Sequence, residues 1–529
     1  MGQHHDGHTL MPTIPVAEWT PDQPAGNGSA VIKNVMPRTD KSYSPFPTPL
    51  VYSQPVPDRV QGAYAIFDAS RQNYTFAATA TSIYHMLTGT AATWTDVSKT
   101  AGAYTTLPFS QGGMWASTSF GDLVIFTNFN DPVQSFLIDS STAFADLAAA
   151  APHANYCAVI KDFLFLGNTH DPVDLDQPRR VWWSSIGDPH DWPTPGSDIA
   201  VMRQSDFQDL EQSDLGHVRG IVGGNLTGAD GAIVMERGIY RVTYQGSPAI
   251  FDFHVAEGAS GTTSPWSIVT RRMPTPAGYR SVAYYLGEGG FVAFDGQSAA
   301  PIGAGKFDRT ILADMEPARR FQTLGIASPN FELVIWAYIG RGGGPEADLY
   351  NRLLVYNWVV ARAVICEITP IEWISHSLMS NLSLDDLDPF GNLETLAYSL
   401  DSPLWQTDVP TTGLFDNQHQ LAYMNGPSMA ATVETAEMGI DGRRSKLHGT
   451  ARPVIEGDGG NLAAIAVGRR DRKMDAVTYA ASVPVNILGT CPMRSTGRYM
   501  RLQLTLPAAA QWDHFAGIEL EPRPEGRLR

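Results

Sequence analysis

From about Val60 to Gln406 the chain repeats one theme: a run rich in β-branched and aromatic residues, a tight polar turn, then a second such run. The instances are TFAATATSIYHML (75–87), MWASTSFGDLVIFTN (114–128), YCAVIKDFLFLGN (156–168), AIVMERGIYRVTYQG (232–246) and SVAYYLGEGGFVAFDG (281–296). FELVIWAYIG (331–340) with LLVYNWVVARAVICEI (353–368), and then GNLETLAYSLDSPLWQT (391–407), complete the series. The dipeptides Gly121-Asp122, Lys161-Asp162, Arg237-Gly238 and Gly289-Gly290 sit between alternating apolar residues, the pattern of β-hairpins. The first turns, at 82, 121 and 162, lie about 40 residues apart, the period of a β-propeller blade. A repeated sandwich spaces its turns at about 8–12 residues. The pattern therefore predicts an all-β chain built on a β-propeller of six or seven blades over residues 59–409.

Helical periodicity is scarce; RTILADMEPARRF (309–321) is the best stretch, and Pro317 interrupts it. The 49 glycines and 37 prolines are spread along the chain, as many short strands and turns require. At 529 residues the chain exceeds one hydrophobic core. Residues 1–58 read as an extended, Pro-rich N-terminal arm, with ten prolines between Pro12 and Pro57 and little periodicity between them. Such an arm orders by packing on a neighbouring chain. Residues 410–529 read as a C-terminal β-sandwich module, with strands in AATVETAEM (430–438), ARPVIEG (451–457), AAIAVGRRD (463–471), VPVNILG (483–489), RYMRLQLTLP (498–507) and FAGIELEPRP (515–524).

Charge is unevenly placed. Residues 410–529 carry 14 Lys+Arg against 12 Asp+Glu, a net of +2, which leaves 23 against 42, a net of −19, for residues 1–409. Such a body repels a nucleic-acid backbone, which clustered Lys and Arg would attract. Cys157, Cys366 and Cys491 are odd in number and far apart, with no C-x-x-C pair. Buried reduced thiols in a reducing cytosol are the expectation. MGQHHDGHTLMP lacks the basic and apolar regions of a signal peptide, and the apolar stretch Phe144 to Ile160 is broken by Asp146, Pro152 and His153.

Reactive constellations are hard to find. Gly303-Ala304-Gly305-Lys306 hints at a phosphate loop, but Ala300 stands at the first glycine position and Phe307 where Ser or Thr would hold magnesium. No H-E-x-x-H and no G-x-S-x-G occurs. His4, His5 and His8 form a polar start, and Asp171, Asp174 and Asp176, like Asp385, Asp386 and Asp388, form acidic loops without the ligand spacing of an EF-hand. The arginine pairs Arg179-Arg180, Arg271-Arg272 and Arg319-Arg320 resemble parts of a sialidase carboxylate clamp, but the repeated Ser-x-Asp-x-Gly-x-x-Trp turn is absent. SSIGDPHDW (184–192) comes nearest to that turn, out of register. RRDRK (469–473) and DGRRSK (441–446) are read as turns of the C-terminal module, facing solvent, an acidic partner or the channel. No catalytic, cofactor-binding or metal-binding residue is assigned, and no enzyme activity is expected.

Several strings in order resemble a known family. WTPDQPAGNGSAVIKNVMPRTDKSYSPFP (19–47) resembles the opening of phage tail-nozzle proteins, and RVWWSSIGDPHDWP (180–193) is similar to their Trp-Ser-x-x-Gly-Asp segment. AIVMERGIYRVTYQGSPAIFDFHVAE (232–257), YYLGEGGFVAFDGQSAAPIGAGKFDR (284–309) and GRYMRLQLTLPAAAQWDHFAGIELEPRPEGRLR (497–529) resemble later stretches and the ending. The family is the nozzle, or packaged-DNA-stabilising, protein of Salmonella-type short-tailed bacteriophages. The His-rich start and the acidic loop 383–388 depart from it. The resemblance implies a virion tail protein, assembled in the host cytoplasm as a homo-oligomer, a hexameric ring below the portal and adaptor rings. Its partners would be tail adaptor proteins and tail fibres or a needle, with packaged DNA passing through without specific binding. Two other readings stand beside it: a receptor-binding or fibre-docking tail propeller, marked by clustered exposed aromatics, and a carbohydrate-active propeller enzyme, marked by a pocket of convergent carboxylates and arginines.

Overall fold

In the computed structural model the described residues are 13–23, 28–68, 73–87, 92–171, 174–256, 258–275, 278–329, 331–342, 348–378, 410–439 and 445–522. The chain is mostly β. Five consecutive four-stranded antiparallel sheets follow one another, each in simple up-and-down order. The first comprises Gly62–Phe67, Asn73–Ala78, Ile83–Leu87 and Thr93–Asp96; the second Ala116–Phe120, Leu123–Thr127, Gln134–Leu137 and Ala145–Asp146. The third comprises His153–Ile160, Phe163–Asp171, Leu175–Trp183 and Asp206–Asp209; the fourth Val218–Leu226, Ala229–Met235, Ile239–Gly246 and Ile250–Val255. The fifth comprises Val269–Thr275, Gly278–Gly287, Gly290–Phe294 and Ala299–Pro301. A sixth, seven-stranded sheet runs Leu324–Ala327, Leu333–Tyr338, Tyr350–Asn357, Arg362–Leu378, Pro410–Asp416, Gln420–Tyr423 and finally Leu50–Pro55.

Strands near the start of each sheet pack against those of the next, and Arg362–Leu378 packs against Gly62–Phe67, so the series returns on itself. This is an all-β, propeller-like arrangement. It explains why the second strands read as unbroken apolar runs. Leu123–Thr127 and Leu333–Tyr338 are buried at every position, because each is covered on both faces by neighbouring sheets. Aromatic layers fill the gaps: Phe76, Trp115, Phe126 and Phe144 between the first two sheets, Phe163, Phe165, Trp183 and Phe251 between the third and fourth.

The repeat is less even than the turn spacing predicts. Opening strands start 37 residues apart between the second and third sheets and 65 apart between the third and fourth. The excess lies in residues 184–205, a folded loop with helix α1 (Asp198–Arg203) capped by Ser197, whose hydroxyl accepts from the Ala200 amide. The turn near 82 also joins second and third strands, whereas those at 121 and 161 join first and second. Helix α2 (Asp308–Asp314) stops before Pro317, and a 3-10 turn (Pro317–Gln322) follows, as the broken periodicity predicts.

The N-terminal segment differs from the expected arm. Its described residues are laid into the chain's own sheets as short strands. Thr13–Pro15 pairs with His514–Pro522, Val35–Thr39 with Ser42–Pro45, and Leu50–Pro55 with Gln420–Tyr423. Val16, Ala17, Trp19, Ile32, Val35 and Tyr43 join one buried cluster with Phe307, Trp336, Leu502 and Trp512. The prolines concealed these strands because each is too short to show alternation. Gly517 is what lets the first strand in, since a Cβ there would lie 2.4 Å from the Ile14 carbonyl oxygen.

Besides a short parallel pair, Glu18–Trp19 with Gly28–Ser29, the remaining described chain forms two larger sheets. One holds Cys491–Gly497, Ser445–Glu456 and His514–Pro522 with the N-terminal strands; the other holds Ala431–Glu434, Tyr499–Leu506, Ala464–Arg470, Thr478–Tyr479 and Val483–Pro484. Residues 410–423, assigned to this module from sequence, belong instead to the seven-stranded sheet. Among the described residues no helix is long and apolar enough to cross a membrane.

Candidate functional site

The acidic loop after Phe163–Asp171 is neutralised from within. Arg180, on the returning strand, donates to Asp171 at 2.9 Å, to Asp174 at 2.7 Å and through its fork to Asp209 at 2.7 and 2.8 Å. Its guanidinium lies 3.9 Å from the Phe207 ring centre. Hydrogen bonds donated to Asp209 and Asp174 outweigh burial and hold the arginine pKa above its ordinary value. Asp176 is separate, 2.6 Å from His170 Nδ1. Where a cation would sit there is already a guanidinium, and no group of three His, Cys, Asp or Glu suited to a metal occurs among the described residues.

The other sequence candidates are likewise used structurally. Lys306, ending the phosphate-loop-like turn, bonds Glu18 at 2.8 Å, while the same turn wraps the Asp308 carboxyl, where a Cβ on Gly303 would stand 2.1 Å from Oδ1. Burial pushes the Asp308 carboxyl up to about 6, against the Phe291 amide that donates to it and with the nearby Asp22 carboxylate adding to the rise. Asp22 in turn accepts the Arg309 and Thr310 amides at the start of α2. Arg271 donates to the Ser328 carbonyl, Arg272 lies over Tyr279, and Arg320 donates to the Leu312 carbonyl. Arg319 pairs with Asp348 and donates to the Ser110 carbonyl. In SSIGDPHDW, Ser185 donates to Asp191 at 2.5 Å, Arg203 reaches the same carboxylate at 2.7 Å, and Trp192 is buried. The three cysteines are free thiols, with Cys366 and Cys491 buried and Cys157 pushed up to about 12 by burial. His4, His5, His8, Asp385, Asp386, Asp388 and residues 441–444 lie outside the described residues.

Aromatic side chains from different parts of the ring of sheets meet one another. Tyr156 of the third sheet lies 6.1 Å from Trp266, which lies 6.5 Å from Trp373 on the far half of the long strand. Tyr64 donates to Ser119 at 2.9 Å across the first two sheets, and burial raises the pKa of both tyrosines.

The C-terminal module holds a buried ionic network. Register places Glu434 opposite Gln503, Gly468 opposite Arg501 and Tyr479, and Arg470 opposite Tyr499, so the polar side chains share one face. Arg501 reaches Glu434 and Glu437, each at 3.1 Å, and Arg470 donates to Glu437 at 2.7 Å. Ser29 and Tyr479 both donate to Glu434. Gly468 leaves room for the tyrosine ring, which a Cβ there would meet at 2.8 Å. Alternation alone makes this face polar and therefore solvent-facing; the N-terminal residues around Ser29 cover it, leaving Glu434 at 0% and Arg501 at 2% exposure. The sequence signal was charge complementarity at matching parity on adjacent strands. RRDRK splits accordingly, with Arg470 inside and Arg472 and Lys473 exposed.

Two turns of the module hold apolar side chains in solvent: Met474 at 97% beside these cations, and Ile487 at 101% with Leu488 at 76% exposure in the turn at the other end of Ala464–Arg470. The sequence reading did not single these out, because apolar residues in short turns carry no periodic signal.

No family model matches the chain, and no curated protein matches it. Among solved structures it is similar to the computationally designed Ika8 protein at 9% identity and TM-score 0.35, over 72% of this chain and 99% of that one. The N-terminal domain of Nup159 aligns at 9% identity and TM-score 0.36, over 72% and 95%. An exo-β-1,3-galactanase from Phanerochaete chrysosporium aligns at 8% identity and TM-score 0.27, over 90% and 100%.

Proposed function

We propose that the chain is a structural protein of a short-tailed phage virion, a tail nozzle whose copies form a ring that extends the DNA channel and helps retain and release the packaged genome. The observation that carries it is the C-terminal module, whose turns present Met474 at one end of the strand Ala464–Arg470 and Ile487 with Leu488 at the other. Exposed large apolar side chains suit a protein contact. The ordered sequence resemblance supports the same reading, as does the use of Asp171, Asp174, Arg180 and Lys306 in structural ion pairs. In this reading the bore lies between copies, six in the ring. The acidic body gives that bore a negative wall.

We also infer seven blades. The register shifts between Ile371 and Trp373, so Arg362–Leu378 serves as the last strand of one blade and the first of the next. Leu50–Pro55 then closes the seventh blade as its outer strand.

Of the large exposed apolar side chains among the described residues, only Tyr279 and Phe331 are aromatic, a poor match to a receptor-binding face. The test is assembly. The triple variant Met474→Asp, Ile487→Asp, Leu488→Asp is expected to fold as wild type yet fail to enter tails, leaving particles that lose DNA. Normal incorporation of the variant, or a wild-type chain that neither oligomerises nor binds tail complexes, refutes the proposal.

A further inference from the structure

The layer between the fourth and fifth sheets is closed on its inside and open at its rim. Going outward along register, the fourth sheet presents Val222, Ala232, Arg241 and His254 to the fifth. Val222 and Ala232 pack with Ala283, Tyr285 and Phe294. One layer earlier, Trp183, Phe251 and Phe253 seal the equivalent rim with ring contacts of 5.3 and 5.9 Å. Here an arginine and a histidine replace them, opposite the small Ala256 and the short outer strand Ala299–Pro301.

The result is an open cavity of about 480 Å³ lined by Arg241, His254, Val255, Ala256 and Gln297. That size suits a small organic ligand. Arg241 forms no ion pair among the described residues, and its Nε is buried without a hydrogen-bond partner. The neighbouring groups are held in place. His254 Nε2 lies 2.7 Å from Asp252, and the Asp295 carboxylate accepts the amides of Gln297 and Ser298 at 2.8 Å, fixing that turn.

We propose that this cavity binds an oxyanion carried on a small polyhydroxylated molecule, a hexuronate or a sugar phosphate, with the Arg241 fork on the oxyanion. A guanidinium matches the two oxygens of a carboxylate or phosphate in one plane. Gln297, with a donor and an acceptor, and His254 face the hydroxyls, and Val255 with Ala256 contact the ring. The site is independent of the nozzle reading, because it lies within one chain and uses none of the turns proposed for assembly.

Calorimetric titration of the full chain with glucuronate, glucose 6-phosphate, glucose and inorganic phosphate tests it. One of the two anionic sugars is expected to bind, glucose at least about tenfold more weakly, and Arg241→Gln to lose about tenfold in affinity, the scale of one charge-assisted hydrogen bond. Gln297→Leu, at an exposed turn, is expected to weaken the sugar without altering the melting temperature. The carboxylate and phosphate sources are separated by which sugar binds. Binding of neither, equal binding of glucose, phosphate alone matching the sugar phosphate (an adventitious ion only), or unchanged affinity in both variants overturns the proposal.

Discussion

Replacing Arg501 by Met removes the hub of the buried network without changing the length of the side chain much. Glu434 loses its cation entirely and keeps Ser29, Tyr479 and Gln503 as donors; Glu437 keeps Arg470. Removing one partner of a buried ion pair costs about 3–5 kcal/mol, and the surviving donors place this case near the lower end, about 3 kcal/mol. For a cooperative unit of about 150–250 residues that corresponds to about 6–12 °C in melting temperature. The loss should be local, because Glu434 holds Ser29 and the Ala17 amide bonds the Glu434 carbonyl at 2.8 Å. Hydrogen exchange should therefore accelerate first in the N-terminal strands and in Ala431–Glu434, before the four-stranded sheets respond. The double variant Glu434→Gln with Arg501→Met should recover most of the loss, since a neutral amide can accept from Ser29 and Tyr479 without a counter-ion. A melting change below about 2 °C in the single variant, or uniform exchange across the chain, would refute the claim that this network pins the N-terminal segment.

Two further perturbations follow from the same geometry. Arg180→Met takes the cation from Asp171, which is buried and keeps the Asp174 amide as a donor, while Asp174 and Asp209 can rehydrate; a loss of about 3 kcal/mol is expected. With the guanidinium gone the three carboxylates converge, so millimolar calcium should raise the melting temperature of the variant and leave wild type unchanged; a calcium shift in wild type would contradict the structural reading of the loop. Asp308→Asn tests the raised carboxyl. Because the folded value is about 6 against 3.8 in the open chain, the native state holds the extra proton between those values. Wild-type stability should fall as pH rises from about 4 to about 6, by about 2–3 kcal/mol, and then level off. The asparagine variant should lose that slope and melt higher than wild type at pH 7.5; an unchanged slope between pH 4.5 and 7 shows that Asp308 ionises freely.

What could be read locally was read correctly where a strand announces itself. Leu123–Thr127 and Phe163–Asp171 appear as apolar runs because their residues are covered on both faces, and the turns at Gly121-Asp122 and Lys161-Asp162 are where the structure puts them. The break before Pro317 is equally local, since a ring without an N–H ends a helix wherever it falls. The even period was not legible. Residues 184–205 lengthen the third sheet's last connection, and no rule of spacing distinguishes an insertion of that size from another blade.

The sequence by itself determined the β character, the up-and-down hairpins and the absence of recognised reactive motifs, because each depends on residues within a few positions of one another. Only the tertiary structure decided where the N-terminal segment lies and what the acidic and basic residues do. Thr13–Pro15 finds its partner some 500 residues away at His514–Pro522, through a gap that Gly517 leaves open. Asp171 and Asp174 look like a cation loop until Arg180 arrives from the returning strand, and Glu434 looks solvated until Ser29 covers it. In each case the alternation of a strand names a face but not what lies against it. The partner comes from a distant part of the chain, and its arrival turns an exposed charge into a buried, paired one.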